Sequence, residues 1–167
     1  LSDDGKILAI SSMSGSPSMD DALTFGSDPN NDGGVVKVFE YKNQNWIQLG
    51  QPLEAKKNAG SNVHDTELFG YNSKLSGDGS TVIVGAIGNA DASTSGPKKQ
   101  TGQVRVYNFD GSSWNQIGQS INGAVRLQNP TYGEQCGFTV DISFDGKTIL
   151  VGSGEYDTCL LYTSDAA

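Results

Sequence analysis

One short pattern, present three times, constrains this chain most. Leu75-Ser76-Gly77-Asp78-Gly79-Ser80 leads into the apolar run Thr81-Val82-Ile83-Val84-Gly85. Leu1-Ser2-Asp3-Asp4-Gly5-Lys6 leads into Ile7-Leu8-Ala9-Ile10-Ser11, and Ile142-Ser143-Phe144-Asp145-Gly146-Lys147 into Thr148-Ile149-Leu150-Val151-Gly152. Each copy reads apolar-Ser-x-Asp-Gly before its run. An Asp-Gly pair between apolar runs is the strongest short-range hairpin signal, because Gly takes positive φ without a Cβ clash. Ser and Asp side chains can also bond the turn backbone. The chain therefore holds three copies of one hairpin, and Asp4-Gly5, Asp78-Gly79 and Asp145-Gly146 are expected to be structural turns.

The hairpin belongs to a larger repeat. Gly34-Val35-Val36-Lys37-Val38-Phe39-Glu40-Tyr41 has its counterpart 68 positions on, in Gly102-Gln103-Val104-Arg105-Val106-Tyr107-Asn108-Phe109. The period-2 pattern puts the paired valines on one face and the basic residue and first aromatic on the other. A short turn then leads to Trp46-Ile47-Gln48-Leu49-Gly50, matched by Trp114-Asn115-Gln116-Ile117-Gly118. Leu68-Phe69-Gly70-Tyr71-Asn72 matches Gln135-Cys136-Gly137-Phe138-Thr139, preceded by Glu67 and Glu134, and runs straight into the hairpin.

One unit is therefore four hairpin-linked strands. Such a unit, repeated at this period, is the sequence signature of a β-propeller blade, with the length beyond a typical ~40–50 residues held in loops. The expected fold is all-β, a partial β-propeller of four-stranded antiparallel blades forming one fragment over 1–157. Strands two to four of one blade occupy 1–50, a full blade 67–118, and strands one and two of the next 134–153. In such a meander the Asp-Gly turns and the third-to-fourth-strand turns share one face. The long stretches, about Ser12–Gly33, Gln51–Glu67, Gly88–Thr101 and Gln119–Glu134, share the other, where a scaffold presents binding loops.

Composition agrees. Gly is 22 of 167 residues, about twice average usage, and no long 3.6-residue apolar period is present. The apolar runs are too short to span a membrane as a helix. A net charge of −8, spread along the chain, argues against nucleic acid, which needs clustered Lys and Arg. Leu1 falls inside a unit, so the natural chain is expected to begin earlier. The last residues, 159–167, break the pattern and look like a translated sequencing adapter, a non-native tail. Without Cys159 only Cys136 remains, and no disulfide is expected.

Phe69-Gly70, Ser76-x-Asp78-Gly79, Val84-Gly85-Ala86, Gly102-x-Val104-x-Val106-Tyr107 and Trp114-x-Gln116-x-Gly118 together resemble β-propeller repeats of the WD-repeat and FG-GAP (integrin α-chain-like) type. The resemblance covers Leu1–Asp157. It implies ligand or partner binding on loop-bearing faces, in an extracellular or cell-surface setting.

Asp28-Pro29-Asn30-Asn31-Asp32-Gly33 matches the first half of a calcium loop. Alternate spacing brings the oxygens of Asp28, Asn30 and Asp32 to one side of a tight turn, as a hard cation requires. FG-GAP repeats are similar in holding calcium in such loops. The pattern is incomplete, with Val36 and Phe39 where further carboxylates belong. Calcium is one expectation and an ordinary Asx-rich turn the other.

The Asp-Gly turns lack the spacing and Trp of a sialidase Asp-box, and only Arg105 and Arg126 are present to bind a carboxylate. Glu67 and Glu134 are repeat-equivalent, which fits a structural role better than a glycosidase pair. His64 stands alone, so a zinc site or Ser-His-Asp triad has no basis. Trp46, Trp114, Phe39, Tyr107 and Tyr41 are expected to pack between blades rather than stack on sugars. Tyr132, in a blade-joining loop, is a freer candidate for ligand contact. Cys136 stands where Phe69 does and reads as a small buried hydrophobe. No residue set argues for catalysis. The expected function is a non-enzymatic binding, adhesion or scaffold module taking a protein or glycan ligand on the long-loop face. The alternative is a fragment of a propeller enzyme, such as a glycan-acting hydrolase, whose catalytic residues lie in other blades.

Overall fold

A computed structural model describes residues 1–13, 16–17, 25–26, 33–55, 67–89, 100–124, 133–154 and 159–163, with backbone alone at 16–17, 25–26 and 159–163. Among these residues the chain is all-β, without helix. β1 (Ile7–Ser12) pairs with one edge of β4 (Val35–Lys42). The other edge of β4 pairs first with β5 (Asn45–Gln48) and then with β6 (Leu53–Glu54). β2 (Ser16–Pro17) and β3 (Phe25–Gly26) pair with each other, inside a stretch expected to be loop. β7 (Phe69–Leu75), β8 (Thr81–Ala86), β9 (Gln103–Phe109) and β10 (Trp114–Asn122) form a second, four-stranded antiparallel sheet in chain order. β11 (Cys136–Ile142), β12 (Thr148–Ser153) and β13 (Cys159–Thr163) form a third.

Two details differ from the sequence expectation. The Trp strand does not end at Gly50 or Gly118. Val36 pairs with Leu53 and Val104 with Ile121, with the register shifting between Ile117 and Ile121. Gly50 (φ 72) and Gly118 (φ 66) take the left-handed conformation that lets the strand kink and resume. The connecting stretches are correspondingly shorter. The second difference is that residues set apart as a tail supply β13. Val151 of β12 faces Leu160 in it, as Val84 faces Arg105 in the second sheet. A ladder asks only for an extended chain, so this strand needs no match to the repeat.

The sheets pack face to face, which explains why apolar residues fall on both faces of a strand. Val36, Val38 and Leu53 of the first sheet meet Phe69, Leu75, Val82, Val84, Tyr107 and Trp114 of the second. On the second sheet's other face, Ile83 and Val104 meet Cys136, Val140, Ile149 and Val151 of the third. β8 is buried along its whole length, each large apolar side chain contributing about 1.5–3 kcal/mol.

Trp114 shows how successive sheets are keyed together. It is 2% exposed, and its Nε1–H donates to Leu49 O at 2.7 Å. The Gln51 amide clasps its backbone, donating to Trp114 O at 2.6 Å and accepting from Trp114 N at 3.0 Å. Trp46, its repeat equivalent, is instead 37% exposed and packs at a tilt against the exposed Tyr41, ring centroids 5.1 Å apart. The expected burial therefore holds for Trp114, Phe39 and Tyr107, but not for Trp46 or Tyr41. Trp114 docks on the sheet before it, and no described sheet lies before the first.

Candidate binding site

The strands have two unlike ends. At one end lie the three Asp-Gly turns, built from identical bonds. Ser76 Oγ–H donates to Asp78 Oδ1 at 2.6 Å and accepts from Thr81 N at 3.0 Å, while Asp78 Oδ1 accepts from Ser80 N at 2.9 Å. Ser2, Asp4, Lys6 and Ile7 repeat the set at 2.7, 2.9 and 3.0 Å. Ser143, Asp145, Lys147 and Thr148 repeat it at 2.7, 2.9 and 3.1 Å. Gly5, Gly79 and Gly146 all sit near φ 70 (72, 74 and 71). Neighbouring turns are linked as well: Asp3 N–H donates to Gly77 O at 2.9 Å and Asp78 N–H to Phe144 O at 3.2 Å.

These bonds favour the ionised carboxylates. The Ser2 hydroxyl and Lys6 N–H hold Asp4 below the usual carboxylate range, and Ser143 and Lys147 do the same for Asp145. At Asp78 burial pushes the carboxyl up, but Ser76 and Ser80 outweigh it and the net shift is downward. The third-to-fourth-strand turn lies at this end too, where the Ser113 and Ser112 N–H groups lower Asp110 to about 2. The turns at this end are short and closed on themselves.

The opposite strand ends are built around a buried ion pair. Arg105 Nη2 donates to Glu67 Oε1 at 2.9 Å and Oε2 at 3.0 Å, with both side chains almost wholly buried. Arg105 Nε donates to Gln103 Oε1 at 2.6 Å, and its guanidinium lies 5.2 Å from the Phe69 ring centroid. Asn89 Nδ2 also donates to Glu67 Oε1 at 2.9 Å, and the Glu67 carbonyl accepts from Gly88 N at 2.9 Å. The network ties the start of β7, the end of β8 and the start of β9. Glu134 is placed differently, since its Oε2 accepts from Ala124 N at 2.9 Å. The two repeat-equivalent glutamates thus hold different partners.

Beside this network each inner strand carries a two-residue bulge. Phe69 pairs with Ala86 and Asn72 with Gly85, leaving Gly70 and Tyr71 out of the ladder. Cys136 pairs with Ser153 and Thr139 with Gly152, leaving out Gly137 and Phe138. Leu68 (φ 50) and Gln135 (φ 53) precede the bulges in the left-handed region, which costs a non-Gly residue roughly 1–2 kcal/mol. Their carbonyls accept from Tyr71 N at 3.0 Å and Phe138 N at 3.2 Å. The bulges turn Tyr71 and Phe138 outward, 37% and 40% exposed, with ring centroids 5.3 Å apart. Asn72 Nδ2, donating to Phe138 O at 3.3 Å, joins the two. Bulges re-aim side chains beside functional sites.

Sequence reading treated Phe69-Gly70 as plain strand and passed over this pair. The signal was an aromatic after Phe-Gly and after Cys-Gly at equivalent positions. Asp28, Asn30, Asp32, His64, Arg126 and Tyr132 lie outside the described residues. Among the described residues no group of three His, Cys, Asp or Glu is gathered as a metal ion requires. The described residues contain no helix long and apolar enough to cross a membrane, which does not bear on a β-barrel. Cys136 is buried, and burial, with the Glu134 charge nearby, pushes its thiol up to about 11. Compared with models of known protein families and with curated protein sequences, the chain matches none.

Proposed function

We propose that the three sheets are successive blades of a β-propeller of the WD-repeat or FG-GAP type. On this reading the protein is a non-enzymatic binding module that takes a protein or glycan ligand at the end opposite the Asp-Gly turns. The observation that carries this is the Tyr71–Phe138 pair, pushed out by matched bulges at the strand ends where the long stretches begin. Flat, rigid rings offer large contact area at low entropic cost, which suits sugar faces and peptide side chains alike. The Arg105–Glu67 network beneath them fixes the strand ends that present the pair. The net charge of −8 disfavours polyanions as ligands.

The test is a panel of neutral oligosaccharides and surface-protein ectodomains, screened against the protein and against Tyr71→Ser/Phe138→Ser. A ligand bound by the first and lost by the second supports the reading. Equal binding by both sinks it. Calcium held by Asp28, Asn30 and Asp32 is part of the proposal; an unchanged melting temperature at millimolar calcium removes that part.

A further inference from the structure

The Tyr71–Phe138 pair stands among neutral polar groups. Tyr71 Oη, Asn72 Oδ1, the Gln135 side-chain amide and the Thr139 hydroxyl take no hydrogen-bond partner among the described residues. Asn72 and Gln135 are half-buried, and Tyr71 and Thr139 are exposed. The Phe138 ring and the Gln135 amide lie side by side over Gly154, where an added Cβ would come within 2.8 Å of Phe138 Cδ2 and 3.1 Å of Gln135 Oε1. The charges of β7 and β11 and of the residues before them are engaged or turned away. Arg105 holds Glu67, and Glu134 accepts from Ala124 N–H. Lys74 and Asp141 line a groove toward the Asp-Gly end, with Gly77 and Phe144, and neither ring of the pair lines it. The main chain is closed as well. Tyr71 N–H and Phe138 N–H donate to Leu68 O and Gln135 O, and Phe138 O accepts from Asn72 Nδ2. An extended peptide finds no ladder to join there, and its amides would lose water against the rings without gaining partners. A sugar asks for something else: a flat C–H face against the rings, and side-chain groups that both donate to and accept from its hydroxyls. Ligand sites combine an apolar, aromatic floor with a few placed polar groups in this way.

We propose that the ligand of this pair is an uncharged pyranose sugar of a glycan, laid by its C–H face against Tyr71 and Phe138. Asn72 Oδ1 accepts from one sugar hydroxyl, and the Gln135 amide and Thr139 hydroxyl bind others. The sugar is uncharged because the ionised groups of both strands are engaged or turned away. The inference rests on the reading of the aromatic pair as the binding site, and narrows its ligand from protein or glycan to a neutral glycan.

The test titrates the isotope-labelled full chain with neutral oligosaccharides of glucose, galactose and N-acetylglucosamine, and in parallel with deglycosylated surface-protein ectodomains. A neutral oligosaccharide at millimolar concentration or below should move the signals of Tyr71, Asn72, Gln135, Phe138 and Thr139. This mapping uses the unaltered protein, so misfolding of a variant cannot mimic it. Gln135→Leu/Thr139→Val keeps both rings, and Leu68 already occupies the equivalent left-handed position. Its melting temperature should hold while its sugar affinity falls about 10- to 100-fold, from the hydrogen bonds lost. Equal sugar affinity in this variant overturns the proposal, as do sugar-induced shifts that leave the aromatic pair unmoved. An ectodomain that binds the protein and not Tyr71→Ser/Phe138→Ser, with no oligosaccharide bound, also overturns it but leaves the pair standing as a binding site. Binding of neither sinks both.

Discussion

Removing either partner of the Arg105–Glu67 pair tests whether these strand ends depend on it. Arg105 is 1% exposed, and its guanidinium makes three charge-assisted bonds, two to Glu67 and one to Gln103. Arg105→Met keeps the stem volume but leaves a carboxylate buried without its cation. Such a change costs about 3–5 kcal/mol, against a total stability of about 5–15 kcal/mol for a domain. Glu67→Gln leaves the guanidinium facing neutral amides and costs a similar amount. The double variant Arg105→Met/Glu67→Gln buries no charge, because Asn89 can still donate to the Gln oxygen. Its cost should fall below the sum of the singles by about 2–3 kcal/mol. Urea unfolding of all four proteins, read as midpoint and slope, measures the cycle. If the costs add within about 0.5 kcal/mol, the two side chains are independent and the reasoning fails.

Other variants exploit the repeat, because equivalent residues sit in unlike surroundings. Trp114→Ala empties the contact with Leu49 and Gly50 and should cost about 3–5 kcal/mol, while Trp46→Ala, at an exposed site, should cost under about 1 kcal/mol by the same denaturation assay. Gly5→Ala meets open space, so its cost is the left-handed strain of about 1–2 kcal/mol. Gly79→Ala should cost more, since its Cβ would also come within 2.7 Å of Ile7 Cγ1. The folded-state pKa values of Asp4, Asp78 and Asp145 lie below the unfolded value of about 3.9, so their contribution is present above that pH and is lost as pH falls through the folded values. Thermal melts should drop from about pH 4 downward, and less steeply in Asp78→Asn; a melting temperature that holds level there contradicts the turn assignment.

The parts of the fold set by short-range chemistry were readable in advance. Ser76, Asp78 and Gly79 specify their turn through three local bonds, and the same residue types at Ser2 and Ser143 specify it again. The alternation in Val104-Arg105-Val106-Tyr107 put the valines on one face and Arg105 and Tyr107 on the other, and the structure packs Val104 and Val106 against the third sheet and Tyr107 against the first. What was not readable depends on neighbours. Trp46 and Trp114 share a motif, yet burial follows the presence of a sheet to dock on. The kinks at Gly50 and Gly118 depend on strands resuming pairing beyond a glycine, which local pattern does not show. The bulge at Gly70-Tyr71 hides inside an apolar-rich strand, because leaving two residues out of the ladder keeps the alternation on either side. The Arg105–Glu67 bond joins residues far apart in sequence, and only the ladder brings them together.

The proposed function is tested most directly by mapping where a bound ligand acts. Amide chemical shifts should be followed while the tightest ligand from the screening panel is added to the isotope-labelled protein. The account predicts changes at Tyr71, Asn72, Phe138 and Thr139, with Asp78, Gly79, Ser112 and Gly146 unmoved. Shifts gathered at those four turn residues, with the aromatic pair silent, would place the ligand at the opposite end and contradict it.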